Sequence, residues 1–167
     1  MKPLVSVVIP AYNAAETIVE CLDSVRAQTY KNLEVLVVND GSSDNTLTIL
    51  EQYASAHKDL NLKIYSIENS GPASARNYAI ARSQGEYVAF LDSDDRWASA
   101  KIEKQLSCFI KYPELALLGC RCSVGMKSDE KSSDAIIRIS RHKLLYRNYF
   151  STPSVIVKSS ILNHFRF

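Results

Sequence analysis

Four cysteines, five glycines, five prolines and one tryptophan in 167 residues leave little room for several fold classes. Cys21, Cys108, Cys120 and Cys122 lie in otherwise apolar runs, where a free thiol packs as a small hydrophobe. A disulfide scaffold is excluded, and a reducing, cytoplasmic setting is expected. Cys120-Arg121-Cys122 looks like half of a metal site. No second cysteine pair or paired histidine stands at a usable spacing, so a strand with both thiols on one face accounts for it. His57, His142 and His164 are scattered and read as surface residues. With 46% hydrophobic and 23% charged residues, disorder and collagen are excluded as well. No uncharged stretch approaches the roughly 18 residues that cross a bilayer. Lys2 before the apolar run Leu4 to Ile9 imitates a signal peptide, but Pro10 breaks the run and Glu16, Glu20, Asp23 and Arg26 fill the next segment.

The length fits one domain. Its net charge of +2 hides an asymmetry: residues 1–120 carry 11 basic against 15 acidic residues, and residues 121–167 carry 9 against 3. An acidic functional face and a basic C-terminal strip are expected.

Leu4 to Pro10 is nearly continuous in β-branched hydrophobics, the mark of a strand buried on both faces of a parallel sheet. Asn13 stands as a cap with Glu16 in capping-box position, and Ile18, Cys21, Leu22 and Val25 follow at helical spacing. Leu33 to Val38 is a second strand, 41–44 a turn with a cap, and Leu47, Leu50 and Ala54 one face of a second helix. Leu62 to Ile67 is a weaker strand, placed near an edge. Gly71-Pro72 opens a third helix that Gly85 closes, and Tyr87 to Leu91 is a fourth strand. Ser99 caps a fourth helix with the stripe Ile102, Leu106, Phe109 and Ile110, ended by Pro113. Beyond it come a strand from Leu115 to Cys122, a polar loop from Ser123 to Asp134, a short strand from Ile136 to Ile139, a basic helix from Arg141 to Asn148, and a last strand from Thr152 to Val157. Alternating strands and helices predict an α/β doubly wound, mostly parallel sheet with helices on both faces and mixed strands toward the C-terminus. Its ligand site lies at the C-terminal ends of the strands.

Those ends are polar. They read Pro10-Ala11-Tyr12-Asn13, Asn39-Asp40-Gly41-Ser42, Glu68-Asn69-Ser70-Gly71 and Asp92-Ser93-Asp94-Asp95. Three carboxylates within four residues repel one another unless a cation neutralises them. The D-x-D spacing and hard oxygen donors suit Mn²⁺ or Mg²⁺ shared with substrate phosphates. Taken alone, Asp92 and Asp94 also fit solvated turn residues, with Asp95 as a helix cap.

The segments VSVVIPAYNAAETIVECLDSVRAQTY, LEVLVVNDGSSDNT, SGPASARN and YVAFLDSDDRW stand in the order and spacing that resemble family 2 glycosyltransferases of the GT-A fold. Any one motif is weak, whereas four in register are strong. The resemblance covers roughly residues 4–112, and 115–167 more loosely. It implies a single GT-A domain over 1–167, with a nucleotide-sugar-binding half at 1–112 and the start of an acceptor-side half at 113–167. It further implies an inverting, metal-dependent transfer of a sugar from a nucleotide diphosphate sugar to an acceptor hydroxyl, in cell-surface polysaccharide or glycolipid synthesis. Pro10, Ala11, Tyr12, Asp40, Gly71, Arg76, Asp92 and Ser93 are then nucleotide-binding. Asp94 is the metal ligand for Mn²⁺ or Mg²⁺, and Asp95 and Trp97 are candidate sugar or acceptor contacts, with a core or rim position equally open to Trp97. An ionised Asp40 accepts from uracil or guanine and repels the cytosine acceptor, which favours UDP or GDP over CDP, and the resemblance implies a UDP-sugar as the usual donor.

One feature of the family is missing. Its catalytic base belongs to an acidic motif some way after a Phe-rich segment like Leu162 to Phe167, and no carboxylate after Asp95 is placed like it. The base is expected beyond Phe167, so a truncated chain, or a non-catalytic nucleotide-sugar-binding module, is the alternative. The basic strip Arg138, Arg141, Lys143, Arg147 and Lys158 suits peripheral contact with an anionic membrane surface or a lipid-linked acceptor, against solvated helix charge as the plainer reading. A saccharide or lipid-linked acceptor, a cytoplasmic site at the inner face of the membrane and a homo-oligomer are the remaining expectations. Nucleic acid is not an expected partner, because the acidic edge repels phosphate. A dinucleotide-dependent redox enzyme is excluded by the lack of G-x-G-x-x-G after the first strand, and a sugar nucleotidyltransferase by the loop PAYNAAE, which lacks glycines.

Overall fold

A computed structural model describes residues 2–120, 137, 139, 150–162 and 167. The described residues form six strands: β1 (Val5–Ala11), β2 (Leu33–Asp40), β3 (Leu62–Ile67), β4 (Tyr87–Phe90), β5 (Leu117–Gly119) and β6 (Val155–Lys158). They form one sheet in the order β3-β2-β1-β4-β6-β5. The first four run parallel, and β6 lies antiparallel between β4 and β5. The expected mixed C-terminal part is therefore present. The helices are α1 (Ile18–Arg26), α2 (Thr46–Ala56), α3 (Pro72–Ile80), α4 (Lys101–Lys111) and the short α5 (Ser159–Leu162).

Alternation along β1 divides the core. Val5, Val7 and Ile9 face α1, α2 and α4, while Val8 joins Leu36, Val38, Ala75 and Ala79 under α3. Because β1 and β2 are buried from end to end, near-continuous hydrophobic runs suit them. The stripe Ile18, Cys21, Leu22 and Val25 is buried as its spacing requires.

Several expectations need correction. Asn13 does not cap α1; it takes φ of +47° and bonds to the loop after β2. On α2 the buried face is Thr46, Leu50 and Tyr53, with Leu47 and Ala54 only half-buried. Gly85 does not close α3, which ends at Ile80. Its N–H donates to the Ser6 hydroxyl at 2.9 Å, and a Cβ there would stand 2.6 Å from that oxygen. Ser99 gives α4 no side-chain cap; Oε1 of the buried Gln28 side chain accepts the Ile102 N–H at 3.1 Å instead. Ile110 leaves the α4 stripe and is exposed, and His57 is half-buried, stacked on Tyr53 at 4.1 Å. Cys120 is exposed just past β5. Cys122, the loop 123–134, the basic helix 141–148, His142, His164 and most of the strand 136–139 fall outside the described residues.

The start of the sheet holds a buried charge. The Glu34 carboxylate, with no solvent exposure, accepts the Ser6 hydroxyl at 2.6 Å, the Gln84 N–H at 2.6 Å and the Lys63 ammonium at 2.9 Å. Burial alone would raise its pKa, but the Ser6, Lys63 and Gln84 bonds together hold it below the ordinary carboxylate value. A carboxylate whose folded pKa is depressed stabilises above its unfolded pKa, and that stability is lost as pH falls through the folded value. Glu34→Ala should therefore lower stability in urea by about 2 to 3 kcal/mol at pH 7, because Ser6 and Gln84 lose their acceptor and Lys63 its partner. The difference from wild type should shrink below the ordinary glutamate pKa of 4.5.

Candidate functional site

Register places the strand ends together. Ala11 pairs with Asn39, so Tyr12 and Asp40 leave the sheet side by side. Val8 pairs with Phe90, and the Leu91 N–H donates to the Val8 carbonyl at 3.1 Å. Residues 92–95 therefore emerge next to the end of β1, at the same edge of the sheet.

Each expected residue has a place there. Pro10 and Ala11 are buried backbone in the last rungs of β1, while Tyr12 is 52% exposed. Asp40 is buried, and one carboxylate oxygen accepts the Ser70 N–H at 2.9 Å. Among the described residues nothing else bonds to that carboxylate, so its second oxygen can take a donor. Gly71 caps α3 at φ of +85°, with open space where a Cβ would stand. One turn on, the Arg76 guanidinium reaches across to Asp92 at 2.5 Å, both side chains being largely buried. The Arg76 Nε is buried with no hydrogen-bond partner among the described residues. Ser93 is half-buried, and Asp94 and Asp95 are exposed.

Trp97 takes the core position. Only 8% exposed, it donates from Nε1 to the Pro153 carbonyl at 2.8 Å, and Lys101 lies over its ring at 4.1 Å. Little of the indole remains to wall a sugar. Its backbone N–H bonds to Ser24 at 3.1 Å, so Trp97 anchors the acidic loop instead.

The electrostatics follow from crowding. Partial burial, then Asp94 and Asp92, raise the Asp95 pKa. Cys21 lies beneath the loop with its sulfur 3.5 Å from the Asp92 carbonyl. Burial first, then Asp95, Asp94 and Asp92, push its thiol up to about 12. It stays protonated and inert. No group of three His, Cys, Asp or Glu side chains among the described residues forms a metal cage. Exposed oxygen donors in insufficient number fit a hard divalent cation that completes its shell with phosphate oxygens and water.

The sequence reading missed the residues that join the first two loops. Asn13 Oδ1 accepts the Ser43 N–H at 2.9 Å, and Ser42 accepts the Asn13 N–H at 3.0 Å. Thr46 and Asp44 accept the next two N–H groups, of Ala14 and Ala15, at 2.8 and 3.1 Å. Their signal was the dense Asn, Ser, Asp and Thr run at 39–46, which reads locally as turn and cap. Two hollows, one along Thr48, Glu51, Gln52 and Ser55 and the other between Ile80, Gln84, Ser159 and Leu162, include no residue of this edge.

Residues 6–166 match the profile of Glycosyl transferase family 2. The chain belongs to that family. Among family relatives, TuaG of Bacillus subtilis (strain 168), named for teichuronic acid biosynthesis, is 50% identical over 123 residues, 70% of this chain and 48% of TuaG. The chain thus spans about half of that relative. The structure of S. aureus TarS in complex with UDP superposes with a TM-score of 0.70 at 30% identity, over 95% of this chain and 48% of that one. A mannosyltransferase from Pyrobaculum calidifontis, PcManGT, in complex with GDP-Man and Mn²⁺, gives 0.67 at 32% identity, over 72% and 36%. The fold is that of the GT-A transferases, as the sequence resemblance implies.

Both glycines of this edge have positive φ, but only Gly41, at +67°, is also crowded: a Cβ would stand 2.7 Å from the Asn69 amide nitrogen. Gly41→Ala should cost about 1 to 2 kcal/mol in strain and contact. Gly71→Ala, strained but uncrowded, should cost less, and thermal denaturation of both variants checks the order.

Proposed function

We propose that this chain carries the donor-binding part of an inverting glycosyltransferase. It would move a sugar from a nucleotide diphosphate sugar, with UDP-sugar favoured, to the hydroxyl of a saccharide or lipid-linked acceptor. The observation that carries the reading is the convergence of Tyr12, Asp40, Arg76, Asp92 and Asp94 on one sheet edge within a chain that matches this family. In this reading Tyr12 offers its exposed face to the base, and the second oxygen of Asp40 accepts the imino N–H of uracil or guanine. Pro10, Ala11, Gly71 and Ser93 line the nucleotide with backbone. Arg76 orients Asp92 toward the ribose and phosphate end, and its guanidinium adds positive charge there.

Asp94 would hold Mn²⁺ or Mg²⁺, with Asp95 adjacent. When bound, the ion supplies Lewis-acid stabilisation of the charge on the leaving diphosphate. The acceptor hydroxyl must lose a proton as it displaces the diphosphate at the anomeric carbon. Among the described residues no carboxylate stands free as that base past Asp95; Glu103, on α4, takes the Thr29 hydroxyl at 2.7 Å. The base therefore lies outside the described residues, or the chain only binds donor. Assaying the complete protein for both UDP binding and sugar transfer separates the two.

The teichuronic acid name of TuaG supports cell-surface polysaccharide synthesis. Work at the cytoplasmic face of the membrane, through the basic strip, completes the proposal. No helix among the described residues is long and apolar enough to cross a membrane.

Two substitutions test the site. Asp94→Ala should abolish Mn²⁺-dependent UDP binding by calorimetry with the thermal midpoint unchanged, since its side chain is exposed. Asp40→Asn should weaken UDP by about 1.5 to 3 kcal/mol, the scale of a charge-assisted bond. Unchanged affinity in either variant refutes that residue's role.

A further inference from the structure

We infer that Asn13 is a positioning residue, which locks the loop after β1 onto the loop after β2 so that Tyr12 and Asp40 are preset for the nucleobase. The inference rests on the nucleotide reading above and assigns it a residue that touches no ligand.

Asn13 is the only non-glycine with positive φ among the described residues, at +47°. The left-handed region is unfavourable for L-residues, and asparagine tolerates it best. Such strain persists where the surroundings over-determine it. Here they do. The Asn13 N–H donates to Ser42, its Oδ1 accepts the Ser43 N–H at 2.9 Å and the Ser43 hydroxyl at 3.3 Å, and the N–H groups of Ala14 and Ala15 donate to Thr46 and Asp44. Three consecutive amides of one loop are thus held by side chains of the other.

Helix α1 does not need this arrangement, because it begins at Ile18, whose N–H donates to the Ala14 carbonyl at 2.9 Å. The bonds of Asn13 itself are exposed, and exposed polar bonds add little net stability. Their effect is geometric. Tyr12 makes no hydrogen bond or ring contact among the described residues, so its orientation depends on the backbone at Ala11 and Asn13. On the other side, Ser42 lies two residues past Asp40, and its own N–H is fixed to Asn39 Oδ1 at 3.2 Å. The lock joins the residue after the stacking tyrosine to the turn after the base-reading carboxylate. Fixing both before binding removes an ordering cost from nucleobase recognition. Grip on the diphosphate, at Asp94 and Arg76, should not depend on it.

UDP and inorganic pyrophosphate are titrated, each with Mn²⁺, into the complete wild-type protein and into Asn13→Gly and Asn13→Asp. Glycine relieves the strained φ but deletes Oδ1, whereas aspartate keeps an acceptor for Ser43. Asn13→Gly should weaken UDP about tenfold while pyrophosphate stays within about twofold, and Asn13→Asp should keep UDP within about threefold of wild type. Wild-type UDP affinity in the glycine variant overturns the inference, as does an equal loss of UDP and pyrophosphate or an aspartate variant as weak as glycine. If Asn13→Gly does not fold, Ser42→Ala, which removes the acceptor of the Asn13 N–H, should weaken UDP severalfold and spare pyrophosphate; an unaffected UDP affinity overturns the inference. Asp40→Asn distinguishes the two levels: if it weakens UDP while Asn13→Gly does not, the lock fails and the nucleotide reading stands. A wild-type protein that binds no UDP overturns both.

Discussion

The bond between Arg76 and Asp92, at 2.5 Å, joins α3 to the end of β4 across the end of β1. It sets the charge balance of the edge. Asp92, Asp94 and Asp95 bring three negative charges within four residues, and Arg76 answers one of them. Arg96, close in sequence, is engaged with Glu20 at 2.7 Å on the exposed surface, a pair of the kind that contributes ~0–1 kcal/mol. The Cys21 thiol beneath stays neutral. Two carboxylates are left facing solvent, and the proton affinity of Asp95 is raised first by partial burial and then by Asp94 and Asp92. A divalent cation carries the matching charge. In the proposed reading, an ion and the phosphates that accompany it relieve that repulsion.

Around that balance the backbone supplies shape. The loops after three of the four parallel strands each contain one residue with positive φ: Asn13 after β1, Gly41 after β2 and Gly71 between β3 and α3. Gly41 has the further duty of letting its loop approach the Asn69 backbone. These positions bring the amides of three loops close to one another, and side chains of the second loop bind the amides of the first.

Much of this was legible in the sequence because two periodicities differ. Unbroken β-branched runs at 4–10 and 33–38 specify strands covered on both faces, and the spacing of Ile18, Cys21, Leu22 and Val25 specifies a helix lying on them. The edge residues were legible because polar clusters ended apolar strands. What escaped were contacts between positions far apart in the chain. Glu34 interrupts a hydrophobic strand, and only the fold brings Ser6, Lys63 and Gln84 to it. Gln28 caps a helix that starts more than 70 residues later, so the nearby Ser99 looked the better cap. Asn13 and Gly85 occupy positions where local rules suggest helix ends, whereas tertiary bonds to Ser43 and Ser6 decide their roles. The insertion of β6 between β4 and β5 is likewise a pairing choice, not a pattern in either strand.

That insertion has a mechanical consequence. β6 follows a 3-10 turn at Thr152–Ser154, and the turn is bonded to the acidic side of the molecule. Trp97 donates to the Pro153 carbonyl and Gln105 to the Ser154 carbonyl at 2.9 Å, while the Trp97 backbone is held by Ser24 of α1. Trp97 lies two residues past Asp95, so the carboxylate loop, the first helix and the turn before β6 share one anchor. A displacement of β6 would have to break the indole bond or carry the loop with it. The indole ring is buried and covered by the Lys101 side chain, so breaking that bond would leave an N–H unsatisfied in the core. The 3-10 turn that leads into β6 and the carboxylate loop after β4 are therefore tied through one buried indole.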